Sequence, residues 1–332
     1  MHRWTDLSQV PSDFGPSVVT IGNFDGVHRG HRTVLARMVA QARAIGGHAV
    51  AVTFHPHPAQ VHHPERAPQL ITGIADRLDL LAETGLDAVL VVEYTLAFAQ
   101  QTAEEFVRRY LVDGLRASTV VIGRDVRFGR DNAGDLSTMI DLGRRYGFAV
   151  EVLEDMHGLH GGDGPRRWSS SWVRELLVAG DVESAAEILG RPHRLRGVVV
   201  HGDARGRDLG FPTANLAQDA TGLVPADGVY AGWMRRVGYP ADRPDAYLPV
   251  AISIGTNPTF DGVQRRVEAH VPDRTDLDLY DEEVVLELVA RLRPTVRFAS
   301  IDELVEQMGH DVERTRVLLA AGPLVLGRPR EG

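Results

Sequence analysis

The sequence predicts an α/β protein in two parts: a doubly wound parallel-sheet domain, then a small antiparallel β-barrel with a C-terminal helix. Three observations predict it. Short β-branched runs alternate with helix-period apolar patterns through the first half. After Leu189-Gly190-Arg191-Pro192 the pattern changes to apolar runs broken by Gly and Pro. At 332 residues the chain is also longer than one typical domain.

Residues 18–21 form the first expected strand, and Val34, Leu35, Met38, Val39, Ala42 and Ile45 then recur at helical spacing. Residues 49–54 read as a buried strand, 76–83 as a short helix and 88–92 as another strand. Thr102 with Glu105 is a capping box, opening a helix that runs through Leu111. Residues 119–122 and 148–153 are further strands around a helix at 136–146. Such alternation gives a parallel sheet with ligands at the carboxyl ends of its strands. In the second part the expected strands are 197–200, 228–233, 250–254, 263–270 and 284–290. A closing helix runs from Asp302 to about Leu319, with Leu304, Met308, Val312 and Val317 as its apolar positions. The expected boundary lies within 186–196 and separates residues 1–186 from 187–332. Residues after Gly322 read as a loosely held tail.

The net charge of −9 is spread evenly: residues 1–186 carry 18 Arg against 23 acids, the remainder 18 against 22. Neither part has the basic stripe that nucleic-acid binding needs, so no nucleic-acid partner is expected. No apolar run approaches the length of a membrane span, and the first residues carry no apolar signal core. A cytoplasmic protein with no membrane partner is expected. The chain has no Cys, which excludes disulfides and thiolate chemistry. It has no Lys either; all 36 basic residues are Arg. That excludes a Walker-A lysine and a Schiff base. Any phosphate chemistry must therefore use Arg, His, backbone N–H groups and a metal.

The most informative string is Gly22-Asn23-Phe24-Asp25-Gly26-Val27-His28-Arg29-Gly30-His31, between the first strand and the first helix. Glycines let the backbone approach a ligand, and the helix beyond offers N–H groups and a positive dipole end to phosphate. His28 and His31 bracket Gly30, where a side chain would obstruct a triphosphate. Both imidazoles can donate to phosphate oxygens as charge builds on them. Ser169-Ser170-Ser171-Trp172-Val173-Arg174 opens a second expected helix, a serine cap with Arg174 one turn on. The histidines His55, His57, His62 and His63 lie among prolines at a strand end, which suits a cleft-lining loop better than a zinc site.

In the second part, Gly202, Gly206 and Gly210 punctuate a Gly/Arg loop able to fold over phosphates. Thr213 and Asn215, two apart on a strand, share one face. As neutral oxygen donors they suit Mg²⁺ together with ATP phosphate oxygens. Glu268 alternates with Val267 and Ala269 and shares a face with His270, where a carboxylate could take a proton from an attacking hydroxyl.

Together these strings resemble the bacterial bifunctional riboflavin kinase/FAD synthetase family over nearly the whole chain. The first part carries residues 22–31, Thr53-Phe54-His55-Pro56-His57-Pro58, residues 123–129 and residues 169–174; it resembles the family's FMN adenylyltransferase, a nucleotidyltransferase fold. The second part carries Gly210-Phe211-Pro212-Thr213-Ala214-Asn215, Asp227-Gly228-Val229-Tyr230, Asn257-Pro258-Thr259-Phe260 and Glu268; it resembles the riboflavin kinase barrel. The resemblance implies ATP binding for adenylyl transfer by Gly22, Asn23, Phe24, Asp25, Gly30, Ser170 and Arg174, with His28 and His31 catalytic. It places flavin against His57, Arg127 and Asn132. In the kinase it implies ATP on Gly202, Gly206, Gly210, Thr213 and Asn215, Mg²⁺ on Thr213 and Asn215, and Glu268 as base. Riboflavin, FMN and ATP are the implied small-molecule partners, FMN and FAD the products. The sequence is compatible with a homo-oligomer.

Four positions depart from the family pattern: Val126 where Phe is usual, Ser171 for Thr, Asp281 for Gly, and Arg274 for an aromatic residue. Two other functions share these strings. One is a nucleotidyltransferase for another phosphorylated metabolite, the other a non-catalytic flavin-binding protein.

Overall fold

A computed structural model describes residues 1–153, 157–159, 165–202, 206, 209–240, 242–259 and 262–322; of residues 159, 165, 257–259 and 262–264 only the backbone is described. Residues 203–205, 207 and 208 of the Gly/Arg loop, Phe260 and the tail after Gly322 lie outside these residues, as do the side chains of Asn257 and Thr259. The chain forms two compact units. One comprises Met1–Gln69 and Ile74–Ser169, the other Leu70–Gly73 and Ser170–Gly332.

The first unit is built on six strands: β1 (His2–Trp4), β2 (Ser17–Ile21), β3 (His48–His55), β4 (Ala88–Glu93), β5 (Ala117–Gly123) and β6 (Ala149–Leu153). They pair in the order β1-β4-β3-β2-β5-β6, every pair parallel. The order reverses direction between β2 and β5, which makes their carboxyl ends the switch point of the sheet. Helix α1 (Arg29–Ala44) follows β2; α2 (Pro58–His62) and α3 (Ile74–Ala82) follow β3. Helix α4 (Ala103–Phe106) continues as π-helical turns over Val107–Gly114, and α5 (Leu136–Tyr146) follows β5. Strand β1 was not expected from the sequence. It is three residues long, too short for alternation to register, yet it pairs with β4 and buries Trp4.

Period-2 alternation sorts the strand residues to two faces. Val19, Val50, Val52, Leu90, Val120 and Ile122 pack with Phe106, Val107, Tyr110 and Leu111 and with Met139 and Leu142 of α5. Val18, Ala49, Ala51, Val89, Val91 and Val121 pack with Leu35, Met38, Val39 and Ala42 of α1 and with Leu80 and Leu81 of α3. Ile45, expected on the apolar face of α1, is its C-cap and is exposed. The Thr102–Glu105 capping box is present with both reciprocal hydrogen bonds. A two-stranded hairpin, β7 (His157–Leu159) with β8 (Pro165–Arg167), completes the unit.

The second unit begins with helices α6 (Ser170–Ala179) and α7 (Val182–Leu189). Six strands then close into a barrel: β9 (His193–Val200), β10 (Thr213–Leu216), β11 (Gly228–Arg236), β12 (Tyr247–Thr259), β13 (Gly262–His270) and β14 (Glu283–Pro294). All pairs are antiparallel, in the order β10-β13-β12-β11-β14-β9, and closure leaves no free edge. Helix α8 (Ile301–Leu319) ends the described chain. Its buried positions are Asp311, Val312, Thr315 and Leu319, while Val317 is exposed, contrary to the expected apolar stripe. The buried face is partly polar: Asp311 pairs there with Arg293 of β14 at 2.8 Å. Among the described residues no helix is long and apolar enough to cross a membrane.

Candidate active sites

The loop after β2 lies at the sheet's switch point, where a ligand is expected. Its backbone is unusual. Phe24 (φ 49°) and Val27 (φ 40°) are in the left-handed region that side chains avoid. Phe24 is buried, with its ring edge-on to His31 at 5.3 Å. A Cβ on Gly22 would lie 3.0 Å from that ring, tighter than an ordinary contact, so glycine suits the Phe24 conformation.

His28 is the N-cap of α1, and its Nδ1 accepts from the His31 backbone N–H at 3.4 Å. A neutral His28 therefore carries its proton on Nε2. The two imidazoles stack 3.7 Å apart at 19°. Burial, with the charge of Arg167 adding to it, pushes the His31 pKa down to about 4, so this ring is neutral at pH 7. Its Nδ1 has no hydrogen-bond partner among the described residues. Gly30 also faces the stack: an added Cβ would sit 3.0 Å from His28 Cε1, tighter than an ordinary contact, so the ring would have to give. Asp25 is buried beneath the loop. Asn23 presents its carbonyl to Thr53 Oγ1 at 3.3 Å and to Arg77 Nη1 at 2.8 Å.

The residues expected to contact flavin are placed separately. His57 caps α2, accepting from the Ala59 N–H at 3.1 Å, in a box completed by Gln60. Its neighbour His62 bonds Tyr94 Oη at 3.0 Å through Nε2. Arg127 and Asn132 are exposed on the segment between β5 and α5; Arg127 donates to the Val126 carbonyl. Val126 itself packs against the core, which accommodates the smaller side chain. Ser170 and Arg174 occupy the first turns of α6, in the second compact unit, and Ser171 is exposed there. Arg77 went unnoticed in the sequence, because one Arg among the leucines of a helix gives no signal.

The barrel brings its four expected residues together. In the β10–β13 ladder Thr213 lies opposite His270 and Asn215 opposite Glu268, so all four share one face. Thr213 Oγ1 donates to Glu268 Oε2 at 3.4 Å, and Asn215 Nδ2 to the Thr213 carbonyl at 3.4 Å. His270 Nδ1 bonds the Pro212 carbonyl at 2.8 Å, and burial lowers its pKa. The loop glycines converge on the same strand: a Cβ on Gly202 would collide with the Asn215 amide, and Gly206 accepts the Phe211 N–H at 2.8 Å. Gly210 has a left-handed φ of 84°. Beside them is a cavity of about 490 Å³, lined by Thr213, Pro212, Val271, Leu279 and Tyr280 among others. Arg274, also on its wall, is held by Asp276 and Asp245 at 2.6 and 2.9 Å. Asp281 has φ 61°, which explains why glycine suits this position and why Asp, tolerant of that region, can replace it.

Comparison with known proteins gives first the class and then the family. A model described as FAD synthetase matches residues 10–162, and one described as riboflavin kinase matches residues 189–319. The chain is thus an enzyme with two transferase modules. It is 37% identical over 306 residues to a bifunctional riboflavin kinase/FMN adenylyltransferase of Escherichia coli, covering 92% of this chain and 93% of the relative. The Bacillus subtilis relative of that description is 34% identical, covering 89% and 90%. A solved structure described as a macrolide-efflux protein from Streptococcus pneumoniae superposes with TM-score 0.79 at 30% identity, covering 95% of this chain and 98% of that one. The chain belongs to the bifunctional riboflavin kinase/FMN adenylyltransferase family, and it makes FMN from riboflavin and FAD from FMN, using ATP.

Proposed function

We propose that the two reactions run at two separate sites, adenylyl transfer within residues 1–186 and riboflavin phosphorylation within residues 187–332, in a cytoplasmic enzyme. The observation that supports the kinase assignment most directly is the shared face of Thr213, Asn215 and Glu268.

In the kinase, Glu268 orients the ribityl hydroxyl and takes its proton as that oxygen attacks the γ-phosphorus and ADP leaves. Thr213 and Asn215, with Gly202, Gly206 and Gly210, hold the phosphates. The donor set fits Mg²⁺ that arrives with ATP. It offers oxygen atoms only, while no group of three or more His, Cys, Asp or Glu among the described residues could cage a metal alone. Thr213 and Asn215 would hold the ion, which when bound supplies neutralisation of the phosphate charge.

In adenylyl transfer the FMN phosphate oxygen attacks the α-phosphorus and pyrophosphate leaves. The nucleophile is already anionic, so no protein base is needed and catalysis is positioning and charge stabilisation. His28 donates through Nε2, and His31, neutral at pH 7, becomes more basic beside the triphosphate. Gly22, Asn23, Phe24, Asp25 and Gly30 shape the loop around ATP. The assignments of Ser170 and Arg174 to ATP, and of His57, Arg127 and Asn132 to flavin, rest on the sequence strings.

Glu268→Gln tests the kinase reading. It should lower kcat for FMN formation about 10²–10⁴-fold, with riboflavin binding, read by fluorescence quenching, preserved. An unchanged kcat would contradict the assignment.

A further inference from the structure

Arg77 lies on α3 with none of its surface exposed. A buried guanidinium is costly unless its hydrogen bonds compensate. Only one of its nitrogens is engaged among the described residues: Nη1 donates to the Asn23 carbonyl at 2.8 Å, to Thr53 Oγ1 at 3.3 Å and to the Phe54 carbonyl at 3.3 Å. Nε and Nη2 have no partner. The neighbouring Leu80 and Leu81 are core residues, so packing alone would be served by an apolar side chain here. All three acceptors belong to the loop after β2 or to the end of β3. The loop so tied contains Phe24 and Val27 in left-handed conformations; a β-branched residue there persists only when its surroundings hold it. Asn23, the residue before this strained run, has its carbonyl fixed by two donors, Arg77 and Thr53.

We infer that Arg77 is a positioning residue for adenylyl transfer, clamping the Asn23 carbonyl so that the strained loop presents the His28–His31 stack to ATP before the nucleotide arrives. This rests on the proposed adenylyltransferase site. Arg77 touches no substrate and acts through the loop. Without the clamp the loop relaxes, and part of the ATP binding energy is used to restore it. The apparent affinity for ATP falls by the fraction of molecules still competent, while kcat at saturating ATP survives.

The test measures ATP KM and kcat for FMN adenylylation in Arg77→Met, Arg77→Lys and His28→Ala, with riboflavin phosphorylation assayed on the same preparations as the control for folding. Arg77→Met should raise the ATP KM about tenfold with kcat within about twofold of wild type. Arg77→Lys, which keeps a cation and a donor, should recover most of the loss. Wild-type KM in an Arg77→Met enzyme that keeps its kinase activity would overturn the inference, as would a fall in kcat alone. If Arg77→Met does not fold, Arg77→Leu, which suits the leucine-rich surroundings and also removes the donor to the Asn23 carbonyl, is read in its place; an unchanged KM there overturns the inference too. Loss of adenylylation in His28→Ala beside an unaffected Arg77→Met refutes the role of Arg77 alone. Full adenylylation in His28→Ala refutes the site on which it depends.

Discussion

The lowered pKa of His31 makes acid stability a readout of the loop. Its folded value of about 4 lies below the 6.5 of a free imidazole, because burial disfavours the charged ring. Between those values the unfolded chain binds the extra proton, so stability falls as pH drops from about 6.5 toward 4 and this contribution then levels off. His31→Asn should flatten that part of the curve in thermal unfolding across pH 4–7. A curve identical to wild type would show that desolvation does not hold the His31 ring neutral. Gly30→Ala addresses the same stack by sterics. Its Cβ would press on the His28 ring from 3.0 Å, so FMN adenylylation should fall about tenfold while FMN formation continues. Residues of this kind were legible where chemistry and spacing coincided, as in the two histidines around Gly30. Arg77 was not, because its burial and its bond to Asn23 come from α3 packing under a loop more than fifty residues earlier in sequence.

At the scale of elements, the barrel depends on one buried ion pair between neighbouring strands. Arg194 of β9 and Glu287 of β14 lie directly opposite, 2.9 Å apart and nearly without solvent. Glu287→Ala takes the carboxylate away from a buried guanidinium and should destabilise the second unit by up to roughly 3–5 kcal/mol. Denaturant unfolding measures it, and a change below about 1 kcal/mol would contradict the described burial. The strands themselves were legible because β-branched runs alternate between faces; the helix expected around 136–146 is α5, capped by Asp135 and closed by Gly147 in a left-handed conformation. Strand β1 and the hairpin of β7 and β8 were missed, since three residues are too few to carry a period. The barrel strands run longer than expected because polar residues continue the ladder: β14 extends through Arg291 and Arg293 to Pro294, both arginines held by partners in the same unit.

Across the whole molecule, one chain carries two ATP-dependent chemistries in two modules, one matching FAD synthetase and one riboflavin kinase. The absence of lysine restricts the chain's own phosphate-binding cations and donors to arginine, histidine and backbone N–H groups. Both families of motif, and their order, were legible because each is a long string of specific residues within one of the two modules. The grouping of α6 and α7 with the barrel was not, because helix-period patterning is the same whichever core a helix joins. The most direct measurement assays both half-reactions separately on Glu268→Ala and His28→Ala proteins shown to be folded. The account predicts that Glu268→Ala stops riboflavin phosphorylation and leaves FMN adenylylation intact, and that His28→Ala does the converse. Loss of both activities in either folded variant would contradict it.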